Sequence, residues 1–146
     1  MDGFKGTNFK YGVGIDVSDQ SSLGDDRFVK GMRTTVTFAP VADATIPTIF
    51  FVAPKACKVV SATERHVTIA GQAGTMQVVK VPSGTAIGSG TELLASAFNL
   101  TSTANTNVTK TSTAQLAKGD ALALKVASGA ATSYAGGVVT VTIEWL

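Results

Sequence analysis

The sequence contains little of what catalytic and metal sites are built from, since its 146 residues include one cysteine and one histidine. A lone Cys57 excludes a disulfide within the chain, and Cys57 with His66 cannot supply the four ligands of a structural zinc site. The two lie nine residues apart on one predicted strand, which would separate them by roughly 30 Å. That distance disfavours a Cys/His dyad, and a Ser/His/Asp triad would have to use His66. We predict that the protein is not an enzyme and binds no metal or cofactor.

Charge is also scarce, because Asp, Glu, Lys and Arg together make up 15% of the chain and the net charge at pH 7 is +2. Proteins that bind nucleic acid normally present a clustered Lys/Arg face. No apolar run reaches the length of about 18 residues that can span a membrane, and the N-terminus lacks the charged and apolar regions of a signal peptide. We therefore expect neither nucleic acid nor a membrane among the partners.

Two parts of the chain differ in composition. Residues 1–33 hold ten of the 22 charged residues, six glycines and four aromatic residues, and they follow neither a helical nor a strand period. Beyond them, short runs alternate apolar residues with Thr, Ser and Lys, which is typical of half-buried strands. The pattern predicts an extended N-terminal arm over residues 1–33 and a β-sandwich domain over residues 34–146.

The final run, GGVVTVTIEWL, is the clearest strand, because its apolar residues alternate with polar ones. Turns rich in Gly, Ser, Thr and Asn separate such runs at intervals of about a dozen residues, which predicts an all-β fold, an antiparallel sandwich or barrel. The side chains expected on the inward side of three of these strands are Met32, Val36, Phe38, Leu122, Leu124, Val126, Val139, Val141, Ile143 and Trp145.

The run ACKVVSATERHVTI is treated as one continuous strand. Strict alternation then places Cys57, Val59, Val67 and Ile69 on one inward side. Cys57 is predicted to be a small buried hydrophobe. His66 falls on the other side and is predicted to lie on the surface at the strand end.

The stretch VKVPSGTAIGSGTELL has the glycine, serine and threonine content of a phosphate-binding loop. A Walker-type loop needs a Lys after its last Gly and a helix whose N-terminus faces the phosphates. No Lys follows Gly90, and the glycine spacing is wrong. We predict an ordinary connection between strands, with a single helical turn in ELLASAF.

Two groups of carboxylates are candidate sites. Calcium suits the oxygens of Asp16, Asp19, Asp25 and Asp26, but their spacing matches no EF-hand loop, and a solvated acidic loop paired with nearby Arg and Lys is favoured. Glu92 and Asp120 could form a glycosidase pair only if two loops met, and nothing in the sequence places them together.

A resemblance rests on the order of several segments between about Ala56 and Leu146. The segments are ACKVVSATERHVTIAGQAGTMQVVKVPSGTAIGSGTELLASAFNLTSTANT and LAKGDALALKVASGAATSYAGGVVTVTIEWL. Together they resemble the small jelly-roll-type β-sandwich modules of tailed-bacteriophage virion proteins, over roughly 60% of the chain. The resemblance implies an antiparallel jelly-roll-like β-sandwich preceded by the extended arm, and a place on the virion.

Among such virion proteins, the length of this chain and its arm most resemble an auxiliary capsid protein, also called a decoration or cement protein. The implied role is to decorate and cement the outer surface of the capsid shell by contacting the major capsid protein, as a homotrimer on the particle. Separated aromatics on a glycine-rich arm suit docking onto a foreign surface, although they could instead cover the protein's own core. The capsid-binding residues expected from this role are Phe4, Lys5, Phe9, Lys10, Tyr11 and Phe28.

The alternative function is a head-fibre or tail-fibre module that recognises a carbohydrate on the host cell surface. Sugar-binding platforms usually stack sugar rings on exposed Trp or Tyr side chains. Trp145 shares the inward side of the last strand, which leaves Tyr134 as the candidate stacking residue. The capsid role is the favoured of the two.

Overall fold

The computed structural model describes residues 30–40, 47–71, 74–127 and 135–146. Within these ranges the chain forms ten β-strands and one 3₁₀ turn, and no α-helix. In chain order the strands are β1 (Arg33–Phe38), β2 (Thr48–Val52), β3 (Cys57–Arg65), β4 (Thr75–Val81), β5 (Thr91–Glu92), β6 (Phe98–Asn99), β7 (Val108–Thr111), β8 (Gln115–Leu116), β9 (Ala121–Ala127) and β10 (Val138–Trp145). The all-β prediction is confirmed.

The strands form two antiparallel sheets. Sheet 1 has the order β1-β10-β3-β7 with β8 also beside β3, and sheet 2 has the order β2-β9-β4-β5 with β6 also beside β4. The pairs β5/β6 and β7/β8 each act as one interrupted edge strand, so the fold counts as eight strands in two four-stranded sheets. Every connection between successive strands crosses from one sheet to the other except the one from β4 to β5. This is the arrangement of a jelly roll, as the resemblance implied.

The core lies between the two sheets and is mostly apolar. Its largest fully buried side chains include Phe98, Met76 and Leu100. The inward side predicted for β10 is confirmed, since Val139, Val141 and Ile143 are fully buried and Trp145 packs half-buried at the end of the strand. The inward side of β9 is confirmed in the same way by Leu122, Leu124 and Val126.

Cys57 is a core residue, as predicted, with its side chain fully buried. Burial, with a smaller contribution from the negative charge of Asp120, raises the pKa of the Cys57 thiol. Because the thiolate is the reactive form, we expect Cys57 of the native protein to react with Ellman's reagent only when the fold opens and exposes it. Unfolding in guanidinium should expose one reactive thiol per chain. Complete labelling within minutes in native buffer would contradict this placement.

A β-bulge in β3 overturns the sequence prediction for the second half of that strand. Thr142 lies opposite Ser61 but Ile143 lies opposite Val59, so Val60 is an extra residue. One extra residue turns every following side chain to the other face. The inward positions after the bulge are therefore Ala62, Glu64 and His66, all buried, whereas Val67 and Ile69 are largely exposed. The predictions of an inward Val67 and Ile69 and of a surface His66 are wrong for this reason.

A second bulge begins β1. The amide of Gly31 donates to the Trp145 carbonyl at 2.7 Å, and the Trp145 amide donates to the Met32 carbonyl at 3.0 Å. Gly31 has a φ of +79°, a conformation that suits glycine at the first position of such a bulge. Val36 and Phe38 pack against the core as predicted, but Met32 is 56% exposed. Met32 was expected inward, yet it lies in the bulge at the end of an edge strand, beyond the packed part of the sandwich.

The segment between β4 and β6 contains a 3₁₀ turn at Ile87–Ser89 and no helical turn in ELLASAF, so the predicted position of that turn is wrong. The reason is the buried side chain of Gln77. Its Oε1 accepts from the Leu94 amide at 3.3 Å, and its Nε2 donates to the Leu94 carbonyl at 3.1 Å. At the gap between β5 and β6, the Gln77 side chain thus supplies Leu94 with the two hydrogen bonds that the backbone of a neighbouring strand would otherwise supply.

Replacing Gln77 with Leu is expected to lower the free energy of unfolding by about 3 kcal/mol, because the amide and carbonyl of buried Leu94 lose their partner. Urea unfolding followed by circular dichroism measures this directly. Gln115→Leu, at an exposed position of β8, is the matched control and should change stability by less than about 0.5 kcal/mol. Equal effects of the two changes would contradict the role given to Gln77.

Candidate binding surface

The outer face of sheet 1 is polar. Its side chains pair across strands, with the hydroxyls of Thr37 and Thr140 3.2 Å apart and those of Thr63 and Thr109 2.8 Å apart. We call it the polar face, and it consists of Arg33, Thr35, Thr37, Lys58, Thr63, Thr109, Thr140, Thr142 and Glu144. Short hydroxylated and charged side chains of this kind suit contact with water.

One cluster of charges ties three strands of the polar face together. The Glu144 carboxylate on β10 accepts from Arg33 Nε on β1 at 3.0 Å and lies 3.4 Å from Lys58 Nζ on β3. The hydrogen bonds from Arg33 and then from Lys58 hold the pKa of Glu144 below its usual value. The cluster lies on the surface, where such pairs contribute little to stability. Its main effect is to hold the side chains of Arg33, Lys58 and Glu144 in defined positions on the polar face.

The outer face of sheet 2 is apolar at one end only, since Gln77 and Lys125 follow farther along β4 and β9, and Glu92 lies beside Val79 on β5. We call the apolar part the apolar face, and it consists of Ile49, Val52, Val79, Val81, Ala121 and Ala123. The four residues from β4 and β9 are buried and Ile87 packs against them, so the connection between β4 and β5 folds back over this part of the sheet. Ile49 and Val52, on edge strand β2, are 46% and 57% exposed. The covered patch therefore continues into uncovered apolar surface at one edge.

A bulge in β2 creates this arrangement. Ile49 lies opposite Ala123 but Phe51 lies opposite Leu122, so Phe50 is an extra residue. Both phenylalanines can then pack against the core between the sheets while Ile49 and Val52 stay on the outer face. The Phe50 ring stacks on the Phe38 ring of β1, with centroids 5.6 Å apart. The two edge strands β1 and β2 thus lie on the same side of the sandwich.

The sequence carries a signal for the apolar face that inward periodicity misses. In ALAL of β9 and VV of β4 the residues of both alternating sides are apolar. Strands of this kind are typical of sheets covered on both faces. Inward periodicity alone accounts for Leu122 and Leu124 and leaves the outward Ala121 and Ala123 without a role.

Glu64 and His66 form a buried pair at the end of the sandwich where β3 ends. His66 Nδ1 lies 2.9 Å from Glu64 Oε1, and both side chains are at most 1% exposed. The Asn105 amide donates to the His66 carbonyl at 2.6 Å, which holds the connection between β6 and β7 against this end. A pair so closed to solvent cannot meet a substrate, so we assign it a structural role.

The other residues weighed from the sequence do not assemble into a site. Asp120 accepts from the Ala117 amide at 2.9 Å and lies 3.7 Å from Lys80 Nζ, whereas Glu92 lies beside Gln77. Within the described ranges, no group of three or more His, Cys, Asp or Glu side chains could hold a metal ion. The same ranges contain no helix long and apolar enough to cross a membrane. Among the candidate site residues from the sequence, those that fall outside the described ranges are Phe4, Lys5, Phe9, Lys10, Tyr11, Asp16, Asp19, Asp25, Asp26, Phe28 and Tyr134.

A shallow cleft of about 400 Å³ opens between the interrupted edges of the two sheets. Its lining comes from Glu92 to Ala95 of one edge and from Thr111 to Thr113 of the other. Glu92 is the one charged side chain in this lining. No second acid or base group faces Glu92 in this lining.

Comparison with known proteins assigns no family. No family model matches the chain, and no curated protein matches it. Similar solved structures include a chain of the cyanophage Pam1 capsid asymmetric unit, at 19% identity and a TM-score of 0.45, covering 78% of this chain and 82% of that chain. A chain from the disulfide-linked pili of Bacillus endospore appendages has 14% identity and a TM-score of 0.42, covering 79% of this chain and 88% of that chain.

A third similar structure is the D431N mutant VP2 protein of infectious bursal disease virus, in T=1 particles. It has 13% identity and a TM-score of 0.37, and the match covers 79% of this chain and 32% of VP2. Similarities at these levels are too low to carry an argument about function. The jelly-roll assignment rests on the strand order, and the candidate surface rests on the two unlike faces.

Proposed function

We propose that this protein is a structural virion protein that decorates and cements a phage capsid shell. Residues 1–33 and the sandwich contact the major capsid protein, and the protein lies on the outer surface of the particle. The observation that carries the proposal is the contrast between the two outer faces of one small jelly roll. One outer face is polar and suited to water, whereas the other is apolar at one end, where a buried cluster continues into the exposed side chains of Ile49 and Val52 on β2.

A two-sided module of this kind suits binding to a lattice. Its apolar face can pack against protein while its polar face remains in water, and the binding energy then spreads over many contacts. An enzyme would instead need polar groups converging in an accessible pocket. In the described part of the chain the one fully buried titratable pair, Glu64 and His66, is closed to solvent, which supports a structural role over a catalytic one.

The same proposal includes the oligomeric state. We place the protein on the particle as a homotrimer, because its weakly charged surface rich in Ala, Thr and Val offers little repulsion between copies. The fibre alternative gains no support from Trp145. This side chain packs against the core with Lys55 Nζ 5.7 Å from its ring centre, so its ring is not presented as a platform for sugar stacking.

The proposal is tested by the amount of this chain in purified intact particles. We expect it to copurify with the major capsid protein in comparable molar amounts and to be absent from fractions that lack particles. Quantitative mass spectrometry of gradient-purified particles gives this ratio. A few copies per particle would favour the fibre role, and complete absence from particles would overturn the virion assignment.

A further inference from the structure

Each of the two sheets ends in two edge strands, and β1 is the one described edge that runs without interruption. The edges β5/β6 and β7/β8 are broken into short pieces, and β2 carries the bulge at Phe50. In contrast, all six residues of β1 pair with β10 without a shift in register. Bulges and short edge strands are ways in which native proteins prevent pairing with other chains. Among the described edges, β1 is therefore the one best suited to accept a further strand.

The bonds between β1 and β10 show which backbone groups of β1 face outward. The Met32 carbonyl accepts from the Trp145 amide at 3.0 Å. Backbone groups of successive residues in an antiparallel strand point to opposite sides, so those of every second residue after Met32 also point at β10. The amides and carbonyls of Arg33, Thr35 and Thr37 point the other way, where no described strand lies. All three residues are exposed, so they offer their backbone groups to a further strand.

The outward edge of β1 is complementary to the same edge of a second copy. When two β1 strands run antiparallel about a two-fold axis at Thr35, each Thr35 lies opposite the other, and each Arg33 lies opposite Thr37 of the second copy. All three outward residues are then in hydrogen-bonded pairs. Moving the axis by one residue in either direction would pair Arg33 or Thr37 with a residue beyond the ends of β1. One register therefore satisfies the whole edge.

The side chains that this register brings together also match. On the inner side of the sheet, Thr34 lies opposite Val36 of the second copy, and β-branched residues pair well across strands. Met32, which is 56% exposed in the single chain, lies opposite the half-buried Phe38 ring of the second copy, and a thioether contacts an aromatic ring favourably. On the polar face, Arg33 lies opposite a threonine. Pairing thus covers an exposed methionine and places no like charges directly opposite each other.

We propose that two copies of this protein associate through their β1 strands in the register centred on Thr35. The two copies of sheet 1 then form one continuous antiparallel sheet, and their polar faces form one surface. A pair of six-residue edges is small compared with a standard interface, so we expect monomer and dimer to exchange in solution. The inference goes beyond the proposed function and does not depend on it. Because the contact is two-fold, it is distinct from the contact that builds the proposed trimer, and it suits joining neighbouring trimers.

Disulfide trapping of the full-length protein tests the register. At the two-fold axis the two Cα atoms of residue 35 are about 5.5 Å apart, a distance that a disulfide can span. Thr37→Cys is the matched control, because it introduces a thiol on the same face of the same strand but about 14 Å from its counterpart. Under mild oxidation, we expect Thr35→Cys to form disulfide-linked dimers about tenfold faster than Thr37→Cys. Cys57 is buried in both chains.

A second change tests whether the backbone edge of β1 makes the contact. Thr37→Pro, added to Thr35→Cys, removes an outward amide that β10 does not use, and proline is tolerated at such positions of edge strands. We expect the cross-linking to become about tenfold slower while the fold persists. Thr37→Val keeps the amide and should leave the rate unchanged. Circular dichroism and thermal unfolding check the fold of each chain.

Three results would overturn the proposal. Equal rates of cross-linking for Thr35→Cys and Thr37→Cys would indicate random collisions in place of a fixed register. Rapid cross-linking at residue 35 that Thr37→Pro leaves unchanged would show that the backbone edge of β1 is not the contact. A Thr37→Pro chain that no longer folds would show that the outward amide is already bonded within its own chain. None of these results depends on binding to particles.

Discussion

A chain carrying Phe4→Ala, Phe9→Ala and Tyr11→Ala together is expected to lose its attachment to the capsid while its sandwich stays folded. Aromatic anchors at the centre of an interface typically contribute about 2 kcal/mol or more each, so three substitutions whose effects add should weaken binding by about 6 kcal/mol, or roughly ten-thousandfold. The sandwich should persist because β10 and β3 pair along their length without residues 1–29. Cosedimentation with particles stripped of this protein measures the binding, and thermal unfolding checks the fold.

Lys5→Ala with Lys10→Ala is the control for this prediction. Exposed charges act mainly on association rate and are screened by salt, so we expect a smaller loss of binding that disappears at high ionic strength. Undiminished coating by the triple Ala chain would place the binding surface on the sandwich itself. An unfolded triple Ala chain would mean that the aromatics belong to the protein's own core.

Replacing His66 with Ala is expected to lower the free energy of unfolding by about 3 to 5 kcal/mol, because it removes one partner of a buried, hydrogen-bonded pair and leaves Glu64 in the core. His66→Ala should therefore reduce the amount of folded protein available for binding. Chemical denaturation measures the change. Below the transition, the protein that remains folded should bind particles normally, since neither side chain is accessible.

Two further variants separate the buried pair from its surroundings. Arg65→Ala, at the exposed position between Glu64 and His66, should change stability by less than about 0.5 kcal/mol. Replacing both Glu64 and His66 with Leu removes the two polar groups together and should cost less than His66→Ala alone. A His66→Ala protein as stable as the parent would contradict the structural role. A His66→Ala protein that is folded but no longer binds particles would indicate that His66 has a chemical role.

Alternation predicted the strands that follow one period from end to end. In β10 apolar and polar residues of VVTVTIEW alternate from Val139 to Trp145, and the inward residues are the ones that this alternation predicts. The prediction failed in β3, where the extra residue Val60 lies at the point at which the neighbouring strand passes from β7 to β8. The Ser112 amide donates to the Val60 carbonyl at 2.9 Å there. The partner that holds this bulge is 52 residues away in sequence, so the bulge leaves no local signal.

The candidate surface was partly readable from the sequence. Apolar residues on both sides of ALAL in β9 indicate a sheet covered on two faces, but pairing alone shows that Ala121 and Ala123 meet Val79, Val81 and the exposed residues of β2. The Phe50 bulge depends on packing between the sheets, where the Phe38 ring lies. The helical turn predicted in ELLASAF failed for a similar reason, since the side chain of Gln77 bonds Leu94 from another strand.

A reconstruction of the intact particle at side-chain resolution tests the central proposal most directly. We expect jelly rolls at many equivalent positions on the outer shell, grouped in threes, with residues 1–29 in contact with the major capsid protein and the polar face of sheet 1 turned to solvent. Density for this chain at the tail or in isolated fibres, or on a shell that residues 1–29 do not contact, would contradict the proposal.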